Sequence, residues 1–398
     1  MHATIDELLG RFDESAPLAE ASTIPGPWYT DPRIAELERA AVFGRTWQMV
    51  AREDQLRSPG RYVTADISGE PIVVVRGHDG ALRAFFNVCR HHAAAVMTQP
   101  EGNADRLRCP YHGWTYNLDG RLEGTPEFEG VCRFNRADNG LVAVAVATWE
   151  KLVFVHLDPD PPPLQEWLGP TLIGQVAPLG LDGLHFAERR EWILECNWKV
   201  FVDNYLDGGY HIPYLHKGLN SILSFKEYTI ECFDRTCLQS SPIKPAAGNG
   251  GRGGGPTHER GQGGEQAPEE MTASVRKGQA LYYWVYPNLM LNWYEGYLDT
   301  NLVVPLGVDR MKVVFDFYFA EQGEAARARN TKSMAVSERI QDEDHAICES
   351  VQRGLRSRAY GAGRLSVRRE AGENLFHRLL AADLRAGASR ARRSLVRP

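Results

Sequence analysis

The sequence has no long hydrophobic run and few cysteines. No segment of its 398 residues approaches the ~20 consecutive apolar residues of a membrane-spanning helix. The N-terminal segment carries Asp6 and Glu7 and lacks an apolar core, which argues against a secretory signal. Its seven widely spaced cysteines do not resemble a secreted disulfide framework. We therefore expect a cytoplasmic protein in a reducing compartment, with no membrane partner.

The sequence also lacks an excess of basic residues. Its 45 lysines and arginines against 51 aspartates and glutamates give a formal net charge of -6. This balance argues against nucleic acid as a partner, because proteins that bind it carry clustered positive charge. The hydrophobic fraction of 43% and the charged fraction of 24% are those of an ordinary globular chain. At roughly 100 to 200 residues per domain, the length predicts two domains.

The chain changes character at a run of prolines. Apolar residues at helical spacing predict a short helix over Asp31–Val42, whereas residues 46–157 contain short β-rich runs separated by turn residues. The prolines of Asp158–Pro163 cannot continue either element and mark a domain boundary. The expected domains are an all-β domain at 46–157, a mixed domain at 158–398, and an N-terminal helical segment at 1–45 that packs on the mixed domain.

The mixed domain is predicted to be of the α+β class. Strand patterns cover Leu281–Leu306 and Met311–Ala320, and a long helical pattern covers Asn330–Arg353. These runs lack the regular alternation of strand and helix that a parallel α/β sheet requires. An insertion at 247–264 is too rich in glycine to pack and is expected to be a surface loop.

Two short motifs in the β-rich domain combine cysteine with histidine. Cys89 and His91 form one pair, and Cys109 and His112 form a second pair after 17 intervening residues. Thiolates suit iron bridged by sulfide, and neutral imidazoles can hold a second iron, so the set matches a Rieske [2Fe-2S] centre. A zinc site is the alternative, although zinc fingers separate cysteine pairs from histidine pairs. The adjacent His92 is expected to be an ordinary polar residue.

The mixed domain contains a further histidine pair, His211 and His216. Positions five apart diverge on a regular helix, so we expect a helix break between them at Pro213. Two imidazoles and one carboxylate form the facial triad of mononuclear non-haem iron oxygenases. The carboxylate is expected in the acidic run Gln341–Gln352, for which a solvated helix face is the alternative interpretation.

With both motifs present in this order, the chain resembles the catalytic α subunit of Rieske non-haem iron oxygenases over essentially its whole length. The resemblance implies a catalytic domain of the helix-grip type, with an antiparallel sheet flanked by helices. It implies that the [2Fe-2S] cluster is bound by Cys89, His91, Cys109 and His112, and that Fe(II) is bound by His211, His216 and Asp344. Asp344 is preferred over Asp342 because the family commonly places a glutamate five residues later, here Glu349.

The resemblance also implies a homotrimer that uses O2 and takes electrons from a ferredoxin or ferredoxin reductase. In such trimers a carboxylate bridges the cluster of one subunit to the iron of its neighbour, usually from three residues before the first iron histidine. That position is Gly208 here. Asp207 is the preferred bridge and Glu349 the second candidate, with a turn-capping role as the alternative for Asp207. The arginines expected to dock an acidic ferredoxin, or else to be ordinary surface residues, are Arg83, Arg90, Arg106 and Arg108.

Within this family the chain resembles choline monooxygenases at 203–214, at 286–288 with 299–302, and at 348–355. This implies oxidation of choline to betaine aldehyde, or of another quaternary ammonium compound. The aromatic residues predicted to form a cation-binding cage, or else the core, are Tyr282, Tyr283, Trp284, Tyr286, Trp293, Tyr294 and Tyr297. The alternatives are hydroxylation of an aromatic ring or another small substrate, and an electron carrier with an inactive iron site.

Overall fold

The computed structural model describes residues 3–244 and 278–395 and divides into two compact units. The smaller unit is Leu37–Pro170, and the larger unit joins Met1–Glu36 to Thr171–Pro398. No helix among the described residues is long and apolar enough to cross a membrane. The glycine-rich insertion predicted at 247–264 lies outside the described residues. The domain limits drawn from the sequence stay predictions.

The smaller unit is built from antiparallel strands, as its short β-rich runs predict. Its strands are β1 Gln48–Arg52, β2 Arg61–Ile67, β3 Glu70–Arg76, β4 Leu82–Phe86, β5 Glu101–Asn103, β6 Leu107–Arg108, β7 Thr115–Tyr116, β8 Leu122–Gly124, β9 Ala143–Trp149 and β10 Leu152–His156. One sheet has the strand order β1-β10-β9-β4-β3-β2-β5, and a small sheet has the order β6-β7-β8. The small sheet and its two flanking loops share one hydrophobic core, which includes Val73, Phe85 and Trp114.

The described residues of the larger unit form an antiparallel sheet with the strand order β11-β17-β16-β15-β14-β13-β12. These strands are β11 His185–Leu194, β12 Thr229–Phe233, β13 Thr236–Pro242, β14 Gln279–Val285, β15 Leu289–Tyr294, β16 Tyr297–Gly307 and β17 Arg310–Phe319. Almost every position of β13, β14, β15 and β17 is buried, which is the pattern of strands covered on both faces. The α+β class predicted from the sequence is confirmed.

Helices pack against this sheet and against each other. The helices among the described residues of both units are α1 Ile5–Leu9, α2 Gly26–Thr30, α3 Pro32–Ala41, α4 Leu164–Leu168, α5 Pro170–Val176, α6 Trp198–Leu206, α7 Ile212–Leu215, α8 Lys217–Ile222, α9 Glu324–Leu355 and α10 Ala371–Leu395. In the larger unit, α6 contacts α9, α10, β16 and β17, while α1 contacts α10 and α2 contacts α9. The helix predicted over Asn330–Arg353 is present and longer at both ends. This packing holds α6 and α9 side by side, and both helices contribute to the site described next.

Candidate active site and metal centres

Three side chains from distant parts of the sequence meet in the larger unit. Nε2 of His216 lies 3.0 Å from Oδ1 of Asp344, and Nε2 of His211 lies 3.9 Å from the same oxygen. All three residues offer a ligand atom within 4.8 Å of the others. Asp342, the other candidate on α9, is exposed. The structure therefore brings together the three residues predicted to bind iron and places Asp344, rather than Asp342, beside the histidines.

Two interruptions of the helical backbone direct the two histidines toward each other. Helix α6 ends at Leu206, a turn follows over 207–209, His211 precedes α7, and His216 lies between α7 and α8. The predicted break at Pro213 is wrong, because Pro213 lies in the first turn of α7, where its missing N–H costs no helical hydrogen bond. The imidazole ring centroids are 4.8 Å apart. The histidines converge because the chain turns on both sides of α7.

The turn before His211 depends on two glycines. Gly208 and Gly209 have φ angles of 68° and 66°, in the left-handed region that costs other residues energy. A Cβ atom on Gly208 would also clash with the backbone oxygen of Arg369, and one on Gly209 would press against Ile212 and Tyr228. The glycine at the position where the family usually carries its bridging carboxylate is therefore required by the backbone.

Replacing Gly208 with alanine is expected to lower the free energy of unfolding of the larger unit by about 3 kcal/mol, because the strained φ and the steric clash add. We expect a matching loss of bound iron. Gly218→Ala in α8 is the control, since a Cβ there meets nothing within 4 Å. Its effect should stay within about 1 kcal/mol, because alanine favours a helix. Urea denaturation followed by circular dichroism, together with iron analysis, would measure both; equal midpoints for the two variants would contradict the prediction.

Asp207 holds both this turn and the ring of His211. Its Oδ1 accepts a hydrogen bond from the N–H of Tyr210 at 3.1 Å, and its Oδ2 accepts one from the N–H of His211 at 3.0 Å. The same Oδ2 lies 2.6 Å from Nδ1 of His211. A carboxylate at Nδ1 fixes the orientation of an imidazole that binds metal through Nε2. The capping role considered for Asp207 and a contact with an iron-site histidine are thus both present.

Glu349, the second candidate for the bridge, has different surroundings. Its Oε1 accepts a hydrogen bond from the N–H of Glu195 at 3.1 Å and lies 3.0 Å from Nε2 of His345, which is one turn away on α9. The bond from Glu195 is the main reason why the pKa of Glu349 lies below its ordinary value. Glu349 therefore links α9 to the end of β11, whereas Asp207 contacts an iron-site histidine directly.

Two further residues that contact the predicted ligands were not found from the sequence. Asn204 donates from Nδ2 to Oδ1 of Asp344 at 2.8 Å, and Oε2 of Glu343 lies 2.5 Å from Nδ1 of His216. Burial alone would lower the pKa of His216, but its hydrogen bonds with Asp344 and Glu343 raise it overall. Each histidine of the site thus has a carboxylate at Nδ1, and in both cases Nε2 faces Asp344. Helical spacing from His211 and His216 gives no signal for either contact. Asn204 meets Asp344 where α6 packs against α9, and His216 meets Glu343 of α9 from the junction of α7 and α8.

This donor set fits a mononuclear non-haem iron. Two imidazoles and one carboxylate leave other coordination positions free for O2 and water, and they suit a divalent iron better than a soft metal. The three residues also line a cavity of about 750 Å³, including its open mouth, which offers space for a small molecule beside them. A catalytic metal, rather than a structural one, is expected at a site with open positions.

Aromatic rings form much of the cavity wall. Of the seven aromatic residues predicted for a cage, Tyr282 and Tyr294 line the cavity among the described residues, and the others do not. The other aromatic residues of the wall are Phe201, Tyr205, Tyr228 and Phe315. The rings of Tyr282 and Tyr294 stand nearly perpendicular, 6.0 Å apart, and the hydroxyl of Tyr294 donates to that of Tyr282 at 3.1 Å. The two rings therefore pack edge to face in the cavity wall, and we call this pair the aromatic corner.

The two Cys-His motifs lie in adjacent loops of the smaller unit. Cys89 and Cys109 are 3% and 2% exposed and belong to its hydrophobic core, while His112 is exposed. The rings of His91 and His112 are 4.7 Å apart, and His91 stacks on Trp114 at 4.7 Å with an interplanar angle of 7°. The loops therefore place the sulfur ligands inward and the imidazoles outward, as a cluster with one iron on each side requires.

Two observations show that these loops fit a metal cluster. Nδ1 of His91 is buried and has no hydrogen-bond partner among the described residues, although buried ring nitrogens are normally satisfied. Burial is also the main reason why the pKa of the Cys109 thiol is raised, so a metal is needed to hold it as a thiolate. The sequence did not reveal Tyr116, whose hydroxyl lies 3.4 Å from Sγ of Cys89 and accepts from the N–H of Arg90 at 2.9 Å. Hydrogen bonds to the sulfur ligands are one of the factors that set the potential of an iron–sulfur cluster.

The four arginines near the cluster loops differ in how much free charge they offer. Arg83 forms salt bridges with Asp79 at 2.8 Å and Asp119 at 3.2 Å, and Arg106 forms one with Glu123 at 2.7 Å. Arg90 and Arg108 are exposed. The predicted docking surface for an acidic ferredoxin therefore depends more on Arg90 and Arg108 than on the two neutralised residues.

Antiparallel sheets that carry a Cys2His2 loop pair in one unit and a His2Asp site in the other have the composition of a Rieske oxygenase, a class of oxidoreductase. The family descriptions that match are "Rieske [2Fe-2S] domain" over residues 46–137 and "Ring hydroxylating alpha subunit (catalytic domain)" over residues 181–386. This chain belongs to the family of ring-hydroxylating oxygenase α subunits with a Rieske domain. Its cofactors are a Rieske [2Fe-2S] cluster and a mononuclear iron.

Named relatives cover nearly the whole chain. Chloroplastic choline monooxygenase of Arabidopsis thaliana is 38% identical over 374 residues, which is 91% of this chain and 83% of the relative. The carnitine monooxygenase oxygenase subunit of Escherichia coli K12 is 32% identical over 91% of this chain and 94% of its own. The crystal structure of a quaternary ammonium Rieske monooxygenase in complex with L-carnitine matches with a TM-score of 0.79 and 26% identity, over 94% of this chain and 99% of the other.

Proposed function

We propose that this chain is the oxygenase component of a monooxygenase that acts on a quaternary ammonium compound, with choline as the preferred substrate. The observation that carries the proposal is the aromatic corner of Tyr282 and Tyr294 in the cavity that also contains His211, His216 and Asp344. The faces of aromatic rings attract cations that have no hydrogen to donate. The names of the relatives, choline and carnitine monooxygenase, support the same class of substrate.

The charge of the cavity wall favours choline over a substrate that carries a carboxylate. The described residues that line the cavity include the acids Asp299 and Asp344 but no lysine or arginine. A substrate carboxylate, such as that of carnitine or glycine betaine, would lack a cationic partner among them and would lose its hydration on binding. The hydroxyl of choline needs only a hydrogen-bond partner, and Asn204, Asn292 and Asn301 line the same wall.

The protein residues hold, orient and shield the reactants. His211, His216 and Asp344 would bind the iron, Asp207 and Glu343 would fix the two imidazoles, and the aromatic wall would exclude water from the reacting carbon. When bound, the iron supplies the activation of O2, with electrons delivered through the cluster. In the overall reaction one atom of O2 is inserted into a C–H bond of the alcohol carbon, which becomes C–OH. The other atom is reduced to water by two electrons and two protons. The resulting hydrate loses water to give betaine aldehyde.

The proposed partners follow from the family resemblance. A ferredoxin or ferredoxin reductase would reduce the cluster, and a homotrimer would allow electrons to pass from the cluster of one subunit to the iron of its neighbour. Asp207 is the proposed bridge for that transfer, since it contacts His211, and Glu349 is the second candidate. A cytoplasmic location stays a prediction; the plant relatives are named as chloroplastic enzymes.

The experiment that tests this function is a substrate screen with the enzyme loaded with cluster and iron. Oxygen uptake would be followed with reduced ferredoxin and choline, glycine betaine, carnitine or simple aromatic acids, and the products would be identified by mass spectrometry. We expect uptake with choline and formation of betaine aldehyde. Uptake with an aromatic acid, and none with any trimethylammonium compound, would replace the proposal with ring hydroxylation. Reoxidation of the cluster without consumption of any substrate would indicate an electron carrier.

A further inference from the structure

A buried acid without a basic partner lies in the wall of the same cavity. Asp299 is 2% exposed and lies on β16, opposite Asn292 on the neighbouring strand β15. Because side chains alternate along a strand, Asp299 and Asn301 share one face of the sheet, and both line the cavity together with Asn292. Asp299 begins the stretch 299–302, one of those that resemble choline monooxygenases.

Three donors surround its carboxylate. Oδ1 accepts hydrogen bonds from Nδ2 of Asn292 and Nδ2 of Asn301, each at 2.7 Å, and Oδ2 accepts one from the hydroxyl of Tyr297 at 2.8 Å. Burial raises the pKa of Asp299 to about 6, and the three hydrogen bonds oppose this rise. All three neighbours donate to the carboxylate, which favours its ionised form, and because they are neutral they stabilise the negative charge without cancelling it.

A negative charge buried in this way calls for a positive one. No lysine, arginine or histidine in the described part of the chain forms a salt bridge with Asp299, and none of the described cavity residues is a lysine or arginine. A buried ion is costly unless an opposite charge lies nearby. The cavity therefore has a built-in preference for a cationic ligand, in addition to its aromatic faces.

The hydrogen bonds that Asp299 accepts also indicate which class of cation the cavity prefers. Its donors already occupy the carboxylate, so a primary ammonium or guanidinium group would find few free lone pairs to bind. A quaternary ammonium group has no N–H and needs only the electric field of the charge. Tyr297 connects that charge to the aromatic corner, because its hydroxyl donates to Asp299 and its ring stacks on Tyr294 at 5.3 Å.

We propose that Asp299 is a specificity-determining residue that selects a permanently cationic, fully alkylated ammonium group through its charge. This inference rests on the proposed function and deepens it, since it names the residue that distinguishes choline from a neutral molecule of the same shape. Asp299 acts at short range through the electric field and not by a hydrogen bond to the ligand. It takes no part in the chemical step.

Binding to the oxidised holoenzyme tests this without turnover. Dissociation constants would be measured by calorimetry for choline and for 3,3-dimethyl-1-butanol, which replaces the nitrogen with carbon and carries no charge. In Asp299→Asn, which keeps the shape of the side chain, we expect affinity for choline to fall at least about tenfold. The affinity for the neutral analogue should stay within about twofold. The readout is therefore the dissociation constant of the neutral analogue divided by that of choline, and this ratio should fall in Asp299→Asn.

Two further variants complete the experiment. Asp309→Asn removes one negative charge from the surface, where Asp309 pairs with Arg356, and should leave the ratio unchanged. Asp299→Glu keeps the charge. It should retain most of the preference for choline over the neutral analogue, even if the longer side chain weakens the binding of both ligands. Cluster absorbance, iron content and melting temperature would verify that each variant is folded.

The outcomes separate this inference from the proposed function. Suppose that wild type oxidises choline, but Asp299→Asn weakens the binding of choline and of the neutral analogue equally or weakens the binding of neither. The role proposed for Asp299 is then wrong, while the proposed function is retained. If wild type binds neither choline nor any other trimethylammonium compound, both proposals fall. A fall in the ratio for Asp299→Asn that Asp309→Asn does not reproduce supports the inference.

Discussion

Replacing His211 with alanine is expected to abolish substrate oxidation and to leave the absorption spectrum of the [2Fe-2S] cluster unchanged. His211 is one of three side chains whose ligand atoms lie within 4.8 Å of each other, so its loss leaves an incomplete set for iron. Removal of residues that only support a metal ligand costs about 10- to 100-fold in affinity or activity, and loss of a ligand itself should cost more than about 100-fold. Iron analysis, visible spectroscopy and oxygen uptake would measure the three quantities.

His185→Ala is a suitable control for this variant. His185 is an exposed histidine at the start of β11 in the same unit and does not line the cavity. It should retain iron, cluster and turnover. Turnover by His211→Ala at a rate near that of wild type would show that the mononuclear iron is bound elsewhere. It would contradict the assignment of the triad.

The second large effect is expected from Asp207→Asn. This change keeps the size of the side chain and an oxygen to accept from the turn, but it removes the charge 2.6 Å from Nδ1 of His211. We expect turnover to fall about 10- to 100-fold with iron content close to that of wild type. Under the proposed bridging role, reduction of the cluster by its donor should be normal, while its reoxidation in the presence of substrate and O2 should be slow. Stopped-flow absorbance of the cluster separates these two steps.

Glu349→Gln is the matched variant for the rival bridge. Glu349 bonds to the N–H of Glu195 and to His345, and glutamine can keep an acceptor for the former. If Asp207 is the bridge, Glu349→Gln should slow cluster reoxidation much less than Asp207→Asn. A larger effect from Glu349→Gln would reverse the assignment, and equal losses would mean that both carboxylates share the role.

The parts of the site that lie in short motifs could be predicted from sequence. Cys89 with His91, Cys109 with His112, and His211 with His216 are each close along the chain, so their residue types and spacing carry the chemistry. Asp344 could be placed only within an acidic helix until the family resemblance selected it. Asn204, Glu343 and Tyr116 were missed, because each contacts a ligand residue across a packing interface that no local pattern encodes.

The substrate cavity was less predictable for a reason of strand geometry. Seven aromatic residues were proposed for a cage, but β15 directs Asn292 and Tyr294 to the cavity and places Trp293 on the opposite face. Asp299 lies on the cavity face of β16 by the same rule. Which face of a buried strand meets a cavity depends on what covers the sheet, and both faces here are buried and carry aromatic residues, so the aromatic pattern alone does not distinguish them. Likewise, Pro213 suggested a helix break, but the backbone is interrupted on either side of α7, at the glycines before His211 and at His216.

The large separation of Asp344 from His216, 128 positions along the chain, bears on the order in which the protein matures. The four cluster residues lie within a short segment, so the smaller unit can fold and receive its iron and sulfide while the rest of the chain is still being synthesised. Asp344, the predicted third ligand of the mononuclear site, leaves the ribosome long after the two predicted histidine ligands, and two ligands alone bind iron weakly. We therefore expect iron insertion into the triad to be the last step of assembly, made into a chain that has already folded.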